Sequence, residues 1–485
     1  MNKLPLKSMS IRSTKIVATL GPASDSKIEE LVVAGVDVFR LNFSHGKHEE
    51  HAARIVSIRA AAAKVGRFVA ILADLQGPKI RISGFASNQN VLLTAGNDFC
   101  IDTSLASDVG NSSEVGSCYK DLATQVKSGD TLVLGDGALE LLVVQVAGTR
   151  VRCTVSIGGE LSSGKGINLR GGGLSAPALT EADIADLQFS CLHKVDYIAL
   201  SFVRSEEDIR QARRLVEQQG ASCGLIAKLE RSEAVASDKN IDSIILASDA
   251  VMVARGDLGI EIGDAALMGM QKHITARARE CNRCVITATQ MMESMVKNPN
   301  PTRAEVMDVA NAVLDGTDAV MLSAETAIGK FPVDTVRSMV GVIEGAESSS
   351  YVAPTTALAY HCTTIDESIA LASMTVAEHL DGVRAVACLT ATGNTPKLMS
   401  RSRSRLPIYA LGDNPQTLAR VALYRGVHPR LLETNQIDYD LVNEAAVKNL
   451  EKDGAVVKGD RIILSKGDYR NVQGGTNTLK IMEVL

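Results

Sequence analysis

Eight short apolar runs, each ending in polar or charged residues, restrict the fold of this chain more than any other feature. They occupy residues 15–20, 36–44, 68–74, 197–202, 224–230, 250–257, 284–290 and 319–325. Helical patterns separate most of them; in one, Ser205 is a suitable N-cap, Asp208 follows three residues later and Gly220 closes the segment. Buried parallel strands form apolar runs, and eight of them alternating with helices predict a (β/α)₈ TIM barrel. The active site of such a barrel lies at the carboxyl ends of its strands.

The alternation is interrupted once, between the third and fourth runs. There, apolar residues recur at every second position, as in Leu139, Leu141 and Val143, which is typical of β-structure. The insertion begins and ends at the active-site end of the barrel, which favours a hinged lid. After residue 350 the α/β alternation resumes. The predicted domains are the catalytic barrel, residues 1–78 and 177–349; the inserted β-barrel lid, residues 79–176; and a C-terminal α/β domain, residues 350–485.

Composition excludes several classes of protein. The chain has 485 residues and a formal net charge of −5, so it offers no basic excess for a nucleic-acid partner. No apolar stretch approaches the roughly 18 residues that a membrane span needs, and the N-terminus lacks the apolar core of a signal peptide. We therefore expect a cytoplasmic protein that acts on small molecules. Cys281 and Cys284 could suggest zinc, but no second ligand pair stands at suitable spacing, which favours core thiols.

The ends of two neighbouring runs bring together an ammonium and two carboxylates. Lys228 and Glu230 point the same way along one strand, and Asp257 ends the next run. Two carboxylates beside an ammonium suit a divalent cation that holds a phosphorylated or carboxylated substrate. A structural ion-pair network at the rim of the barrel would give the same pattern, and these two segments alone do not separate the two interpretations.

Eight sequence blocks in order resemble those of the pyruvate kinases, of the bacterial type. The blocks are TKIVATLGPAS (14–24), FRLNFSHG (39–46), LADLQGPKIR (72–81), IAKLE (226–230), MVARGDLGIEI (252–262), ITATQMMESM (286–295), PTRAE (301–305) and MLSAETA (321–327). The resemblance covers essentially the whole chain and includes the position of the insertion. It implies phosphoryl transfer from phosphoenolpyruvate to ADP, giving pyruvate and ATP.

The resemblance also implies a role for each matched residue at the reacting groups. Glu230 and Asp257 would hold Mg²⁺ or Mn²⁺, and the main chain at Gly256 would approach the substrate carboxylate. Lys228 would neutralise charge on the moving phosphoryl group. The substrate phosphate would be bound by the planar fork of Arg40. Thr289 would stand beside the carbon that is protonated, acting through water.

Five further residues match the nucleotide positions of the family. They are Thr19, Pro22 and His45 on the barrel, and Arg81 and Lys165 on the inserted domain. Lys165 could instead be a lysine of the loop surface, and His45 a structural or solvated histidine.

One departure from the common family pattern concerns K⁺. Many members have Thr and Glu where this chain has Leu75 and Lys79, and they bind K⁺ with the residues matching Asn42, Ser44 and Asp74. Leu75 offers no hydroxyl, and the ammonium of Lys79 carries the charge of the missing cation. The chain thus resembles the K⁺-independent, monophosphate-activated group. The other interpretation makes Lys79 a surface charge at the lid hinge.

The C-terminal region carries a second phosphate-sized motif. Its residues are Thr390, Thr392, Gly393, Asn394 and Thr395, directly after a predicted strand. Free backbone N–H groups there could bind an anion, although such loops also serve as tight caps. Similarity to the effector site of the family implies a phosphorylated activator. Because residues 466–475 lack an Arg-rich or Trp-containing second clamp, AMP or a sugar monophosphate is expected.

Three arginines follow the C-terminal motif closely in the sequence. Arg401, Arg403 and Arg405 are interpreted as a solvated helix face or as subunit contacts. The family resemblance suggests a homotetramer.

Two other functions remain open. One is a metal-dependent barrel lyase that stabilises an enolate with Glu230 and Asp257, and the other is a non-catalytic metabolite sensor that uses only the C-terminal motif.

Overall fold

Eight parallel strands close into a barrel, which confirms the predicted (β/α)₈ fold. This computed structural model describes residues 12–135, 137–174, 176–349, 362–469, 472 and 474–485. The first barrel elements are β1 (Lys15–Thr19), α1 (Ile28–Ala34), β2 (Val38–Asn42), α2 (His48–Val65) and β3 (Ala70–Asp74).

The inserted domain is built from short strands around its own apolar core. Its elements are β4 (Val91–Leu93), β5 (Asp98–Asp102), β6 (Glu114–Gly116), α3 (Leu122–Gln125), β7 (Thr131–Leu134), β8 (Leu139–Ala147), β9 (Arg150–Ile157), β10 (Gly159–Leu161) and β11 (Ile167–Leu169). Six strands form a mixed sheet in the order β11-β7-β8-β9-β5-β6, and β10 pairs with β4. The alternating residues Leu139, Leu141 and Val143 are buried in this core, because the side chains of a strand alternate between its two faces.

The barrel resumes after the insertion. Its elements are α4 (Glu181–Leu192), β12 (Tyr197–Leu200), α5 (Glu206–Gln218), β13 (Gly224–Leu229), α6 (Asp238–Ala247), β14 (Ala250–Ala254), α7 (Arg255–Ile262), α8 (Asp264–Glu280), β15 (Cys284–Ala288), α9 (Arg303–Asp315), β16 (Ala319–Leu322), α10 (Ala324–Ala327) and α11 (Pro332–Ser348). The strand order around the barrel is β1-β16-β15-β14-β13-β12-β3-β2. Helix α5 begins after Ser205, and its capping box with Asp208 is present as predicted.

One sequence expectation about this region is wrong. The run at 250–257 is not a strand throughout, because β14 ends at Ala254 and Asp257 lies in the first turn of α7. A carboxylate in the first turn is stabilised by the helix dipole, whereas a charge inside a buried strand is not. Asp257 therefore reaches the rim from a helix.

The C-terminal domain is a five-stranded sheet with helices. Its elements are α12 (Ile365–His379), β17 (Val383–Leu389), α13 (Asn394–Ser400), β18 (Ile408–Gly412), α14 (Pro415–Val421), β19 (Val427–Leu431), α15 (Val442–Lys452), β20 (Arg461–Gly467) and β21 (Thr476–Glu483). The order is β19-β18-β17-β20-β21, and only the β20–β21 pair is antiparallel. The predicted boundary at 350 falls in residues 350–361, outside the described residues.

The C-terminal domain packs against the amino ends of the barrel strands. Arg401 is buried there, bonds both carboxylate oxygens of Asp318 and donates to the carbonyl of Arg283 over 2.7 Å. Arg403 donates to the carbonyl of Leu314 over 2.9 Å, and Arg405 to that of Ser349 over 3.2 Å. The expectation of a solvated face or subunit contacts is thus wrong for Arg401, because a carboxylate at the start of β16 holds it between the domains. Among the described residues, no helix combines the length and the apolar character needed to cross a bilayer.

Candidate active site

Lys228 stands at the centre of a polar cluster at the carboxyl end of the barrel. Its Nζ lies 2.6 Å from Ser201 Oγ, 3.3 Å from Glu230 Oε2 and 3.4 Å from Asp74 Oδ1. Burial disfavours its charge, but Asp74 and Glu230 outweigh that effect, and the pKa of Lys228 lies above its ordinary value. Lys228 and Glu230 do face the same way, as the alternation of a strand predicts.

Glu230 is fully buried, and one of its oxygens forms an ion pair with Lys228 but no hydrogen bond among the described residues. Oε1 accepts from the backbone N–H of Phe202 over 2.6 Å, whereas Oε2 accepts no hydrogen bond within the described part of the chain. Burial raises the pKa of Glu230 to about 7; Lys228 opposes this rise, and the charge of Asp257 adds to it. A buried carboxylate oxygen without a hydrogen bond, near a second carboxylate, fits a hard divalent cation. The residues present therefore suit the expected Mg²⁺.

Arg40 is held in a fixed orientation beside this cluster. Its Nε donates to Asp74 Oδ2 over 2.6 Å, and its Nη1 donates to Thr19 Oγ1 over 3.0 Å. Thr19 is buried, and its hydroxyl donates to the carbonyl of Leu322 over 2.8 Å. Burial favours neutral Asp74, but Lys228 and Arg40 outweigh this effect, and the pKa of Asp74 lies below its ordinary value. Thr19 therefore helps to fix the position of the Arg40 guanidinium through this hydrogen bond.

The expected cation cage of Asn42, Ser44 and Asp74 lies on the β2–β3 edge. Asn42 and Asp74 are register partners, and Asn42 Oδ1 accepts from the backbone N–H of Ser44 over 3.2 Å. Leu75 is buried, and its carbonyl accepts from Ser201 Oγ over 2.7 Å. The sequence predicted that the ammonium of Lys79 would lie in this cage. In the structure it lies 3.6 Å from Asp257 Oδ1. Lys79 is therefore placed against a candidate metal ligand.

Thr289 and Gly256 lie together, as expected of residues that share one substrate. Thr289 Oγ1 donates to the carbonyl of Ala288 over 2.6 Å and accepts from the backbone N–H of Gly256 over 2.9 Å.

Sequence reasoning missed Ser201, which binds Lys228, and Arg255, which binds the main chain at Thr289. Both belong to segments that were recognised, namely the end of the fourth run and the block at 252–262.

The remaining nucleotide candidates lie on two domains. Pro22 and His45 are exposed on the barrel. Arg81 and Lys165 lie on paired segments of the inserted domain, where Arg81 Nη1 donates to the carbonyl of Gly164 over 2.9 Å and the carbonyl of Lys165 accepts from Ile82 over 2.9 Å. The side chain of Lys165 is exposed.

The C-terminal motif lines a pocket that opens to solvent. The pocket contains four of the five predicted residues, and these are Thr390, Thr392, Asn394 and Thr395. The fifth, Gly393, adopts φ 86° and donates its backbone N–H to Thr390 Oγ1 over 2.9 Å. Asp413 also lines the pocket. In the closing segment 466–475, Arg470, Asn471 and Gln473 lie outside the described residues.

Comparison with known proteins assigns the family. The pyruvate kinase barrel domain matches residues 11–336, and the pyruvate kinase alpha/beta domain matches residues 367–482. Pyruvate kinase II of Salmonella typhimurium is 50% identical over 477 residues, covering 98% of this chain and 99% of the relative. The pyruvate kinase of Haemophilus influenzae is 48% identical over 475 residues, covering 96% and 97%. Pyruvate kinase 2 of Synechocystis is 41% identical over 479 residues, covering 97% and 79%. The chain therefore belongs to the pyruvate kinase family, enzymes that transfer a phosphoryl group from phosphoenolpyruvate to ADP.

Proposed function

We propose that the polar cluster around Lys228 is the site at which this chain transfers the phosphoryl group. The observation that carries the proposal is the buried Glu230 Oε2, which lies 3.3 Å from Lys228 Nζ and accepts no hydrogen bond from the described residues. An oxygen in this position is available to a ligand. Glu230 and Asp257 would hold Mg²⁺ or Mn²⁺, which would supply positive charge beside the anionic substrate.

Two cations of the chain act on the phosphoryl group itself. Lys228 stabilises the charge that develops during transfer, and Arg40 binds the phosphate oxygens with its planar fork. Asp74 orients both of them, so little reorganisation is needed at the moment of transfer. The main chain of Gly256 approaches the substrate carboxylate because no side chain blocks it.

Proton transfer completes the reaction. After the phosphoryl group leaves, the enolate of pyruvate takes a proton at carbon, and Thr289 relays it from water because a hydroxyl alone is a poor acid. Pro22, His45, Arg81 and Lys165 bind the nucleotide when the inserted domain closes as a lid. Since Thr19 is buried below Arg40, it contributes by supporting that residue.

The reaction and its metal requirement are tested by measuring pyruvate formation from phosphoenolpyruvate and ADP while Mg²⁺ is titrated. We expect turnover that depends on both ADP and Mg²⁺, and Glu230→Gln should require far more Mg²⁺. Turnover without ADP would support the alternative, a metal-dependent lyase. Absence of turnover at any Mg²⁺ concentration would support a metabolite sensor.

We further propose that the enzyme does not require K⁺. Leu75 removes a cation-binding hydroxyl, and Lys79 provides a tethered positive charge at the same rim. Its four-carbon side chain lets the ammonium turn toward the substrate phosphate when the lid closes. Equal activity in Na⁺ and K⁺ buffers is the expected result.

The pocket around Thr390–Thr395 is the proposed effector site, and a monophosphate such as AMP or a sugar phosphate is the proposed activator. Asp413 supports a single phosphate, because a carboxylate can accept from a sugar hydroxyl but repels a second phosphate. Titration with AMP, ribose 5-phosphate, glucose 6-phosphate and fructose 1,6-bisphosphate tests this. Activation by the bisphosphate alone would contradict it.

Family membership also supports a cytoplasmic homotetramer, which we propose as the working form. Analytical ultracentrifugation of the purified chain measures its mass, and a monomer at micromolar concentration would contradict this proposal.

A further inference from the structure

The turn that follows β15 has an unusual backbone. Thr289 has φ 68° and Gln290 has φ 54°, so two consecutive non-glycine residues occupy the left-handed region. For a β-branched residue such as threonine this conformation is a true outlier, and it persists only when surrounding groups hold it. The turn therefore needs a brace.

Arg255 provides that brace. Its Nη2 donates to the carbonyls of Thr289 over 2.5 Å and of Gln290 over 3.2 Å, and its Nε lies 3.2 Å from the Thr289 carbonyl and 3.3 Å from that of Ala288. Nη1 pairs with Asp308 Oδ1 at 2.8 Å, which fixes the other side of the guanidinium. Arg255 is buried, and the fork geometry that reaches three successive carbonyls is not available to lysine.

The same residue connects the turn to the metal-site helix. Arg255 is the first residue of α7, and the next residue, Gly256, donates its backbone N–H to Thr289 Oγ1 over 2.9 Å. The hydroxyl proton of Thr289 goes to the carbonyl of Ala288. Both bonds fix the direction of Oγ1, and both depend on the main-chain conformation that Arg255 holds.

We propose that Arg255 is a positioning residue for the proton-transfer step. It keeps the turn at Thr289 in its strained conformation and so directs Oγ1 toward the carbon that is protonated. In that step a C–H bond forms at the methylene carbon of the enolate, the C=C bond becomes a single bond and the enolate oxygen becomes a carbonyl. The proton comes from water by way of the Thr289 hydroxyl, so an O–H bond of that water breaks and a hydroxide ion is left to the solvent. The inference rests on the proposed role of Thr289.

The reverse of this step can be measured without phosphoryl transfer. Exchange of the pyruvate methyl protons in D₂O, with Mg²⁺ and inorganic phosphate, is followed by NMR. Formation of ATP from phosphoenolpyruvate and ADP in a single turnover is measured separately. We expect Arg255→Lys and Arg255→Met to slow the exchange at least tenfold while single-turnover ATP formation stays within about threefold of wild type.

Two further variants keep the test decisive if Arg255→Met does not fold. Asp308→Asn releases one side of the guanidinium and should slow the exchange by a smaller factor. Gln290→Gly, combined with Arg255→Lys, should restore part of the exchange, because glycine adopts a positive φ without strain. The matched control is Arg67→Lys at the opposite end of the barrel, where Arg67 pairs with Asp37 Oδ1 at 3.1 Å. It should lower the melting temperature without changing the ratio of the two rates.

The outcomes separate this inference from the proposed function. If Thr289→Ala keeps normal exchange, the role of Thr289 and the inference built on it are both wrong. If Thr289→Ala loses exchange but Arg255→Lys keeps it, only the inference is wrong. A parallel loss of exchange, ATP formation and thermal stability in the Arg255 variants would make Arg255 a structural brace alone and would overturn the proposal.

Discussion

The two ends of the barrel both bury charges at strand termini, but they use them differently. At the amino end, Asp37 Oδ2 accepts from Arg12 over 2.6 Å and from the backbone N–H of Ile16 over 2.9 Å, and Oδ1 accepts from Arg67 over 3.1 Å. At the carboxyl end, Glu230 Oε2 and Asp74 Oδ1 are buried and accept no hydrogen bond among the described residues. Carboxylates whose two oxygens both accept hydrogen bonds stabilise the fold. Carboxylates with an oxygen that accepts none, and that face a common ammonium, are available to bind a ligand.

The amino end of the barrel repeats one arrangement. Four aspartates each stand one residue before a strand, pair with an arginine, and accept the backbone N–H of the neighbouring strand through Oδ2. The accepting pairs are Asp37 with Ile16, Asp196 with Ile71, Asp249 with Leu225 and Asp318 with Val285, at 2.9, 2.7, 2.8 and 2.9 Å. The arginines are Arg12, Arg59, Arg213 and Arg401. Asp196 Oδ1 still lacks a hydrogen bond within the described residues, so one such oxygen does not by itself mark a site.

Replacing a buried lysine at each end gives the largest contrast. Lys228→Met should lower kcat on the order of 10²-fold or more with a smaller effect on phosphoenolpyruvate binding, because in the proposed mechanism the ammonium acts mainly on transition-state charge. Lys15 is buried at the opposite end, where its Nζ donates to the carbonyl of Val427 over 2.6 Å. Steady-state kinetics of Lys15→Met should stay within about twofold of wild type. Near-normal turnover of folded Lys228→Met would remove that residue from the mechanism.

Altering the permanent charge at the carboxyl end should produce the next largest effect. Leu75→Thr combined with Lys79→Glu restores the common family pattern and removes a tethered cation. We expect lower activity in K⁺-free buffer, with part of it regained when K⁺ is added. Rates with Na⁺, K⁺ and a bulky ammonium ion provide the measurement. A wild-type rate that rises about tenfold with K⁺ would show that Lys79 does not replace the cation.

Breaking a buried ion pair at the amino end should lower the stability of the protein without changing its basal turnover. Arg401→Met leaves Asp318 buried without its cation, a loss of about 3–5 kcal/mol for pairs of this kind. Differential scanning calorimetry should detect earlier unfolding while basal kcat remains near wild type. Lys64→Ala is the control, since it removes an exposed pair with Glu29 and should change little. An unchanged melting temperature in Arg401→Met would disprove the structural role.

The smallest effect concerns acid stability. Burial acts to raise the pKa of Asp37, but Arg12, Lys15 and Arg67 outweigh it and hold the value at about 2, below the ordinary 3.8. A carboxyl with a depressed folded pKa stabilises above its ordinary value and loses that contribution as pH falls from about 4 toward 2. The shift corresponds to about 2 kcal/mol. Asp37→Asn should therefore melt earlier at pH 6, with a difference that shrinks toward pH 3. A constant difference across this range would contradict the assignment.

Sequence reasoning located the barrel, the insertion and the central cluster for physical reasons. The strand runs are apolar because both faces are buried, and strand alternation places Lys228 and Glu230 on one side. The pattern could not place Asp257, because a short charged segment after a strand can continue the strand or start a helix, and tertiary packing decides. Arg255 was missed because its proposed role depends on the backbone angles of Thr289, which no spacing reveals.

Charge pattern alone was also a poor guide to the C-terminal domain. Arg401 belongs to a polar segment that looks exposed, yet its partner is Asp318, 83 residues earlier. Such pairs are invisible to local periodicity because they depend on how two domains meet. The repeated aspartates before the strands were equally present in the sequence, and their meaning emerges only from the neighbouring strand that each one caps.

The interior of the barrel and the C-terminal domain share one apolar cluster, which includes Tyr197 and Cys284 on the barrel side and Met399 and Tyr424 on the other. During synthesis, the barrel strands leave the ribosome before the segment that covers their amino ends. Until that segment folds, the bottom of the barrel remains an exposed apolar surface, and the nascent chain is open to aggregation. The inserted domain has a separate core and no such dependence. The barrel, whose strands are synthesised first, can therefore bury its amino end only after the C-terminal domain has been synthesised.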